Sequence, residues 1–123
     1  MLIGAHQSVA GGHHNALRLA EEDACDAIQV FTKNASQWKE PSIAPDQLTQ
    51  FKDARAGSKL GRAPILCHDS YLINLCATDA ALLERSREAL LHEALRCESF
   101  GIDHVVLHPG VSEDTLLEAA DIR

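Results

Sequence analysis

The sequence predicts an α/β fold, four parallel strand–helix units in a single domain over residues 1–123. Three observations carry this reading. Short apolar runs alternate with longer segments of helical period. Each run is followed by polar residues before a helix begins, the order a parallel βαβ crossover needs. And 123 residues with 46% hydrophobic and 24% charged side chains hold enough apolar material for one core, which excludes a disordered chain or a fibrous repeat.

The first strand is expected over Leu2–Ala5. The helix after it, Asn15 to Ala24, places Ala16, Leu19, Ala20, Asp23 and Ala24 at i, i+3, i+4, i+7 and i+8, a mainly apolar stripe for a sheet, with Arg18, Glu21 and Glu22 outside. Ala27–Phe31 reads as the second strand. The second helix begins near Pro45, whose missing N–H suits a first turn, and turns Leu48 and Phe51 inward. Ile65–Cys67 is the third strand. Asp79 caps the third and longest helix, Ala80 to Phe100, and Gly101 stands where a left-handed residue ends it. His104–Leu107 is the fourth strand. Ser112, Glu113 and Asp114 then open a fourth helix, a hydroxyl capping free N–H groups and carboxylates favouring the positive end of the dipole.

Four such units make half of an eight-unit barrel, whose usual length is ~250 residues, or a small open sheet; length permits both. The barrel is favoured by where the polar chemistry falls. His6, Thr32-Lys33-Asn34, His68 and His108 each follow a strand's carboxyl end, the rim on which barrel sites are built.

The formal charge is −7, unevenly placed: residues 1–62 carry seven basic and seven acidic side chains, residues 63–123 four and eleven. A whole-molecule field attracting nucleic acid is thereby excluded, so any phosphate contact must be local or made through bound cations. Cys25, Cys67, Cys76 and Cys97 are widely spaced without a CxxC pair and read as four buried thiols. No apolar run approaches the ~20 residues of a membrane span, and the amino terminus has no secretory pattern, so the expected location is the cytoplasm, with no membrane partner.

His68 and His108 end neighbouring strands, which lie ~4.8 Å apart, so their imidazoles can converge on one cation. A zinc site needs further ligands, and no third is evident; alternation sends Asp69 and Cys67 the other way. His6 is either a site residue or a hydrogen-bonded core histidine. Gly11 and Gly12, in GAHQSVAGG, read first as a tight turn and second as an anion cradle. His13 and His14 are expected to be exposed, His104 to lie on the wrong rim, and His92 to sit with Glu88, Glu93 and Arg96 in a solvated stretch. In HDSYLINL, Tyr71 and Leu72 either face a nucleic acid as stacking or wedging groups, lid a pocket, or pack as core. In FTKNASQWK, Lys33, Asn34, Gln37, Trp38 and Lys39 suit phosphate and sugar contacts, or form a capped turn anchored by Trp38.

Taken together, GAHQSVAGG, FTKNASQWK, HDSYLINL and VVLHPG, in this order and spacing, resemble the amino-terminal half of the endonuclease IV family of apurinic/apyrimidinic endonucleases. The resemblance covers nearly the whole chain. It implies the first four units of a (β/α)8 barrel of the xylose isomerase-like TIM type, an incomplete barrel in this chain. It implies a zinc role for His68 and His108, with the remaining ligands of the three-zinc centre on later strands, and insertion of Tyr71 and Leu72 into the minor groove of double-stranded DNA at an abasic site. The implied chemistry is zinc-dependent hydrolysis of the phosphodiester 5′ to that site, in base excision repair. Two departures are visible: Ala35 and Ser36 stand where the family typically has Gln-Arg, and HPGVS replaces HPGSH. Both bear on lesion grip. Two other classes are carried alongside, a metal-dependent sugar isomerase of the same barrel type and an inert fragment. An incomplete barrel with open edges is further expected to self-associate or to need a missing carboxyl-terminal half.

Overall fold

The computed structural model describes residues 1–112; the fourth helix expected from Ser112 onward lies outside the described residues. The elements are β1 (Gly4–His6), α1 (His14–Glu22), β2 (Ala27–Val30), α2 (Pro45–Gly57), β3 (Ile65–His68), α3 (Ala80–Phe100) and β4 (His104–Val106). The four strands form one sheet in the order β1-β2-β3-β4, and every neighbouring pair is parallel. A doubly wound sheet reverses its strand order and takes helices on both faces. Strict sequential order keeps the right-handed crossovers on one face, which is the arc of a barrel and settles the choice left open by length.

Strand alternation divides the side chains. In β2 and β3, Ile28, Val30, Ile65 and Cys67 are buried beneath the helices, while Ala27, Gln29, Leu66 and His68 face the other, open side. The core lies between sheet and helices, where Leu17, Ala20, Phe51 and Phe100 meet Ile28, Val30 and Ile65. Phe51 and Phe100 pack edge to face at 5.3 Å, joining α2 to α3.

Asp79 accepts a hydrogen bond from the Leu82 N–H at 2.7 Å, and Gly101, with φ +73°, ends α3, both as expected. The first helix differs. It stops at Glu22 because Ala24 takes a left-handed φ of +54°, so Asp23 and Ala24 fall outside it, and Leu17 rather than Leu19 is fully covered. Cys76 is exposed and Cys25 half-buried, so only Cys67 and Cys97 are buried thiols. His13 is partly covered, its ring 4.5 Å from Phe100. On α3 the expected solvated stretch is not found: Glu93 and Arg96 are buried, at 1% and 6% exposure, and of these two and His92 only the histidine faces solvent. Their burial is tolerated because each charge is paired and hydrogen-bonded.

Candidate metal and nucleic-acid site

At the carboxyl end of the sheet, alternation in β3 turns His68 to the open face. The pairing of His68 with Val106 carries the same face up to His108, two residues on. The two Nε2 atoms lie 3.2 Å apart. His68 Nδ1 is 2.8 Å from the Asp69 carbonyl oxygen, which can only accept, so Nδ1 carries the proton and Nε2 presents a bare lone pair. A tetrahedral ion with ordinary zinc–nitrogen bonds separates two of its nitrogens by ~3.3 Å. Donor type, the His68 tautomer and the spacing therefore fit a shared divalent cation.

Phe31 is the aromatic hub of this rim, an assignment the sequence reading missed. Its ring lies 4.5 Å from His6 and 5.5 Å from both His68 and Tyr71. The signal was available: Val30 faces the helices, so the next residue faces the opposite side. The Gln29 amide stands 2.9 Å from His6 Nδ1, and burial followed by the neighbouring His68 lowers the His6 pKa from its ordinary value. His6 thus belongs to the rim, while His104 is exposed at the strands' other end.

Three loops above the rim are stapled together. The Ala35 carbonyl accepts from Ser70 Oγ at 2.8 Å and from the Tyr71 N–H at 3.0 Å. Further along, the Leu75 N–H donates to the Pro109 carbonyl at 2.8 Å and Asn74 Nδ2 to the Val111 carbonyl at 3.0 Å. Gly110 has φ +98°, and a Cβ there would run into Asn74, so the HPG turn requires glycine. Asn74 is a second residue the sequence reading did not single out; a polar side chain inside the apolar LINL run was its only signal. The outcome is a Tyr71 that stands 66% exposed at the top, with Leu72 half-buried beside it. Asn34 is exposed on the facing loop. A cleft of about 430 Å³ separates the turn after β1 from that loop, with His6, Phe31, Asn34 and Tyr71 among its walls.

Lys33 departs from expectation. Its side chain is only 3% exposed, and its ammonium binds Glu40 at 2.8 Å and the Gln37 and Lys39 carbonyls. It orders its own loop instead of offering a free cation to a phosphate. Trp38 lies half-buried under the Arg85 guanidinium, 4.6 Å from the ring centre. Gly11 and Gly12, with φ +78° and +129°, form the tight turn that was the first reading of GAHQSVAGG.

Asp69 is buried next to His68. One oxygen accepts from the Ser70 N–H at 2.7 Å, the other has no partner, and burial raises its pKa to about 6. Among the described residues one group of three close metal-type donors exists, Cys67, Glu93 and Cys97, beneath α3. It is an ion-paired network rather than a vacancy for a cation. Glu93 accepts from Thr32, Cys67 and Arg96, and the hydrogen bond with Cys97, burial and the Glu93 charge all push the Cys67 thiol up.

A family model described as the xylose isomerase-like TIM barrel matches residues 17–123. A probable endonuclease 4 of Geobacter sp. (strain M21) is 42% identical over 109 residues, 89% of this chain and 38% of that protein. The corresponding protein of Chlorobium phaeobacteroides (strain BS1) is 42% identical over 121 residues, 94% of this chain and 43% of that one. The crystal structure of endonuclease IV from Thermus thermophilus superposes with a TM-score of 0.83 at 28% identity, covering 99% of this chain and 45% of that chain. The chain therefore spans about two fifths of the length of the curated relatives it matches.

Proposed function

Because the chain belongs to the xylose isomerase-like TIM-barrel family and is similar over most of its length to endonuclease 4 proteins, we propose that it forms the amino-terminal part of a zinc-dependent endonuclease acting on double-stranded DNA at abasic sites. One observation carries this reading: the facing Nε2 atoms of His68 and His108, 3.2 Å apart, with the exposed Tyr71 ring 5.7 Å from His68.

His68 and His108 would hold the cation, and further ligands must come from other residues, since no third donor joins them among the described ones. A bound zinc supplies Lewis-acid and water-activating chemistry for phosphodiester hydrolysis. The remaining tasks fall to this chain's own side chains. Tyr71 and Leu72 present an apolar pair that can enter a duplex step and hold it unstacked. The exposed Asn34 side chain can offer hydrogen bonds to phosphate or sugar oxygens. The cleft between the two loops is lined by rings and small residues, suiting a sugar or base turned out of the stack. A chain of charge −7 gains little from its overall field, so divalent cations at the rim account for attraction to DNA better than its own lysines do. Among the described residues no helix is long and apolar enough to cross a membrane, which accords with cytoplasmic action.

The test measures zinc per chain and nicking of a duplex with one abasic site. Zinc should be retained by the wild type, and affinity should fall at least tenfold when His68→Ala and His108→Ala are combined. In a protein that joins this chain to the remaining ligands, nicking should require the abasic site and cease with chelator. Zinc content unchanged by the double substitution, or sugar turnover without duplex binding, would overturn the reading.

A further inference from the structure

Arg96 on α3 reaches three acceptors. Its Nη2 donates to Glu93 Oε2 at 2.9 Å, its Nε to Thr32 Oγ1 at 3.0 Å, and its Nη1 to Glu40 Oε2. Lys33 takes the other oxygen of the same Glu40 carboxylate at 2.8 Å, while donating to the Gln37 and Lys39 carbonyls at 3.1 and 3.3 Å. Glu40 thus closes the segment 33–40 into a ring and ties that ring to α3. The side chains involved are nearly enclosed, 3% exposed for Lys33, 7% for Arg96 and 24% for Glu40.

Such a network is a costly way to gain stability alone, because apolar side chains of similar volume do that as well or better. What it supplies is position. Within the ring sits Ala35, whose carbonyl is the joint acceptor for Ser70 Oγ and the Tyr71 N–H. The coordinates of that one oxygen fix where the Tyr71 backbone leaves the rim.

We propose that Glu40 and Arg96 are positioning residues that, through the closed 33–40 ring and the Ala35 carbonyl, set the placement of Tyr71 over the His68–His108 pair. The significance for nucleic acid rests on the function proposed above; the mechanical coupling does not.

The chain contains one tryptophan and one tyrosine, and they report on the two coupled loops. Trp38 lies three residues from Ala35, at most ~11 Å of chain, and the Ala35 carbonyl accepts from the Tyr71 N–H, so transfer of Tyr71 emission to Trp38 is expected while the loops stay stapled. In the full chain, Glu40→Gln should raise Tyr71 emission at least twofold with far-ultraviolet circular dichroism unchanged, and Arg96→Lys should give an intermediate rise. Glu22→Gln, in the exposed pair with Arg18, should do nothing. If Glu40→Gln loses helicity, Lys33→Gln, which removes one of the two partners of the carboxylate, is read in the same way. Unchanged Tyr71 emission in a folded variant overturns the inference. Titration with an abasic-site duplex separates the two ideas. A fivefold or greater loss of affinity in Glu40→Gln supports both, whereas an emission rise with duplex affinity unchanged sustains the coupling and counts against Tyr71 as a duplex-contacting group.

Discussion

Asp69 illustrates how a single residue's chemistry escapes a linear reading. Alternation sends it away from His68's face, and it is indeed buried behind the rim, but with one carboxylate oxygen unpartnered and a pKa raised to about 6. A folded-state pKa above the usual ~3.9 means that the native protein holds the proton more tightly than the unfolded chain. The stabilisation is complete at pH values below ~3.9 and is lost as pH rises through about 6. With chelator present, the melting temperature of the wild type should therefore decline by a few degrees between pH 5 and pH 7 relative to Asp69→Asn. Parallel pH profiles for the two would refute the assignment. Glu40 has the opposite sign. Burial alone would raise its pKa, but hydrogen bonds from Lys33 and Arg96 outweigh it and hold the carboxyl below the ordinary carboxylate range. Its contribution is present at neutral pH and is lost as acid protonates it.

Among the elements, the bounds of α3 were legible because their signals are local. An aspartate at the cap, a long run without proline, and a glycine at the stop each act within one turn of chain. Asp79→Ala should cost about 1 kcal/mol and lower the melting temperature by roughly 4–8 °C, with Asp79→Asn nearly neutral. Thermal unfolding followed by circular dichroism checks both. The rotation of α1 was not legible. Leu17 and Leu19 are both apolar, and only the left-handed turn at Ala24 and the packing of α2 decide which one faces the sheet. The charged stretch of α3 misled for a related reason. Glu93 and Arg96 look solvated until Thr32 and Glu40, distant in sequence, are brought against them.

For the whole molecule, sequential parallel order leaves one sheet face under helices and the other open. On the open face, Gly4, Ala27 and Leu66 border a cleft of about 220 Å³, and Leu2 and Ile3 beside it are 65% and 62% exposed. Among the described residues β1 and β4 each have one unpaired edge, a template for further strands. The 123-residue chain should consequently show mass rising with concentration in light scattering. A single monomeric mass from micromolar to high micromolar concentration would contradict this.

Strand and helix order, the caps of α3 and the meeting of His68 with His108 were determined by the sequence by itself, because a period-two strand and a parallel crossover leave little freedom in where a strand-end residue goes. The burial of the Lys33, Glu40, Glu93 and Arg96 charges, the stapling of three loops through the Ala35 carbonyl, and the central place of Phe31 were decided only by tertiary structure. Each depends on groups far apart in the chain coming within hydrogen-bond or ring-contact distance, and no local pattern encodes which partner will arrive.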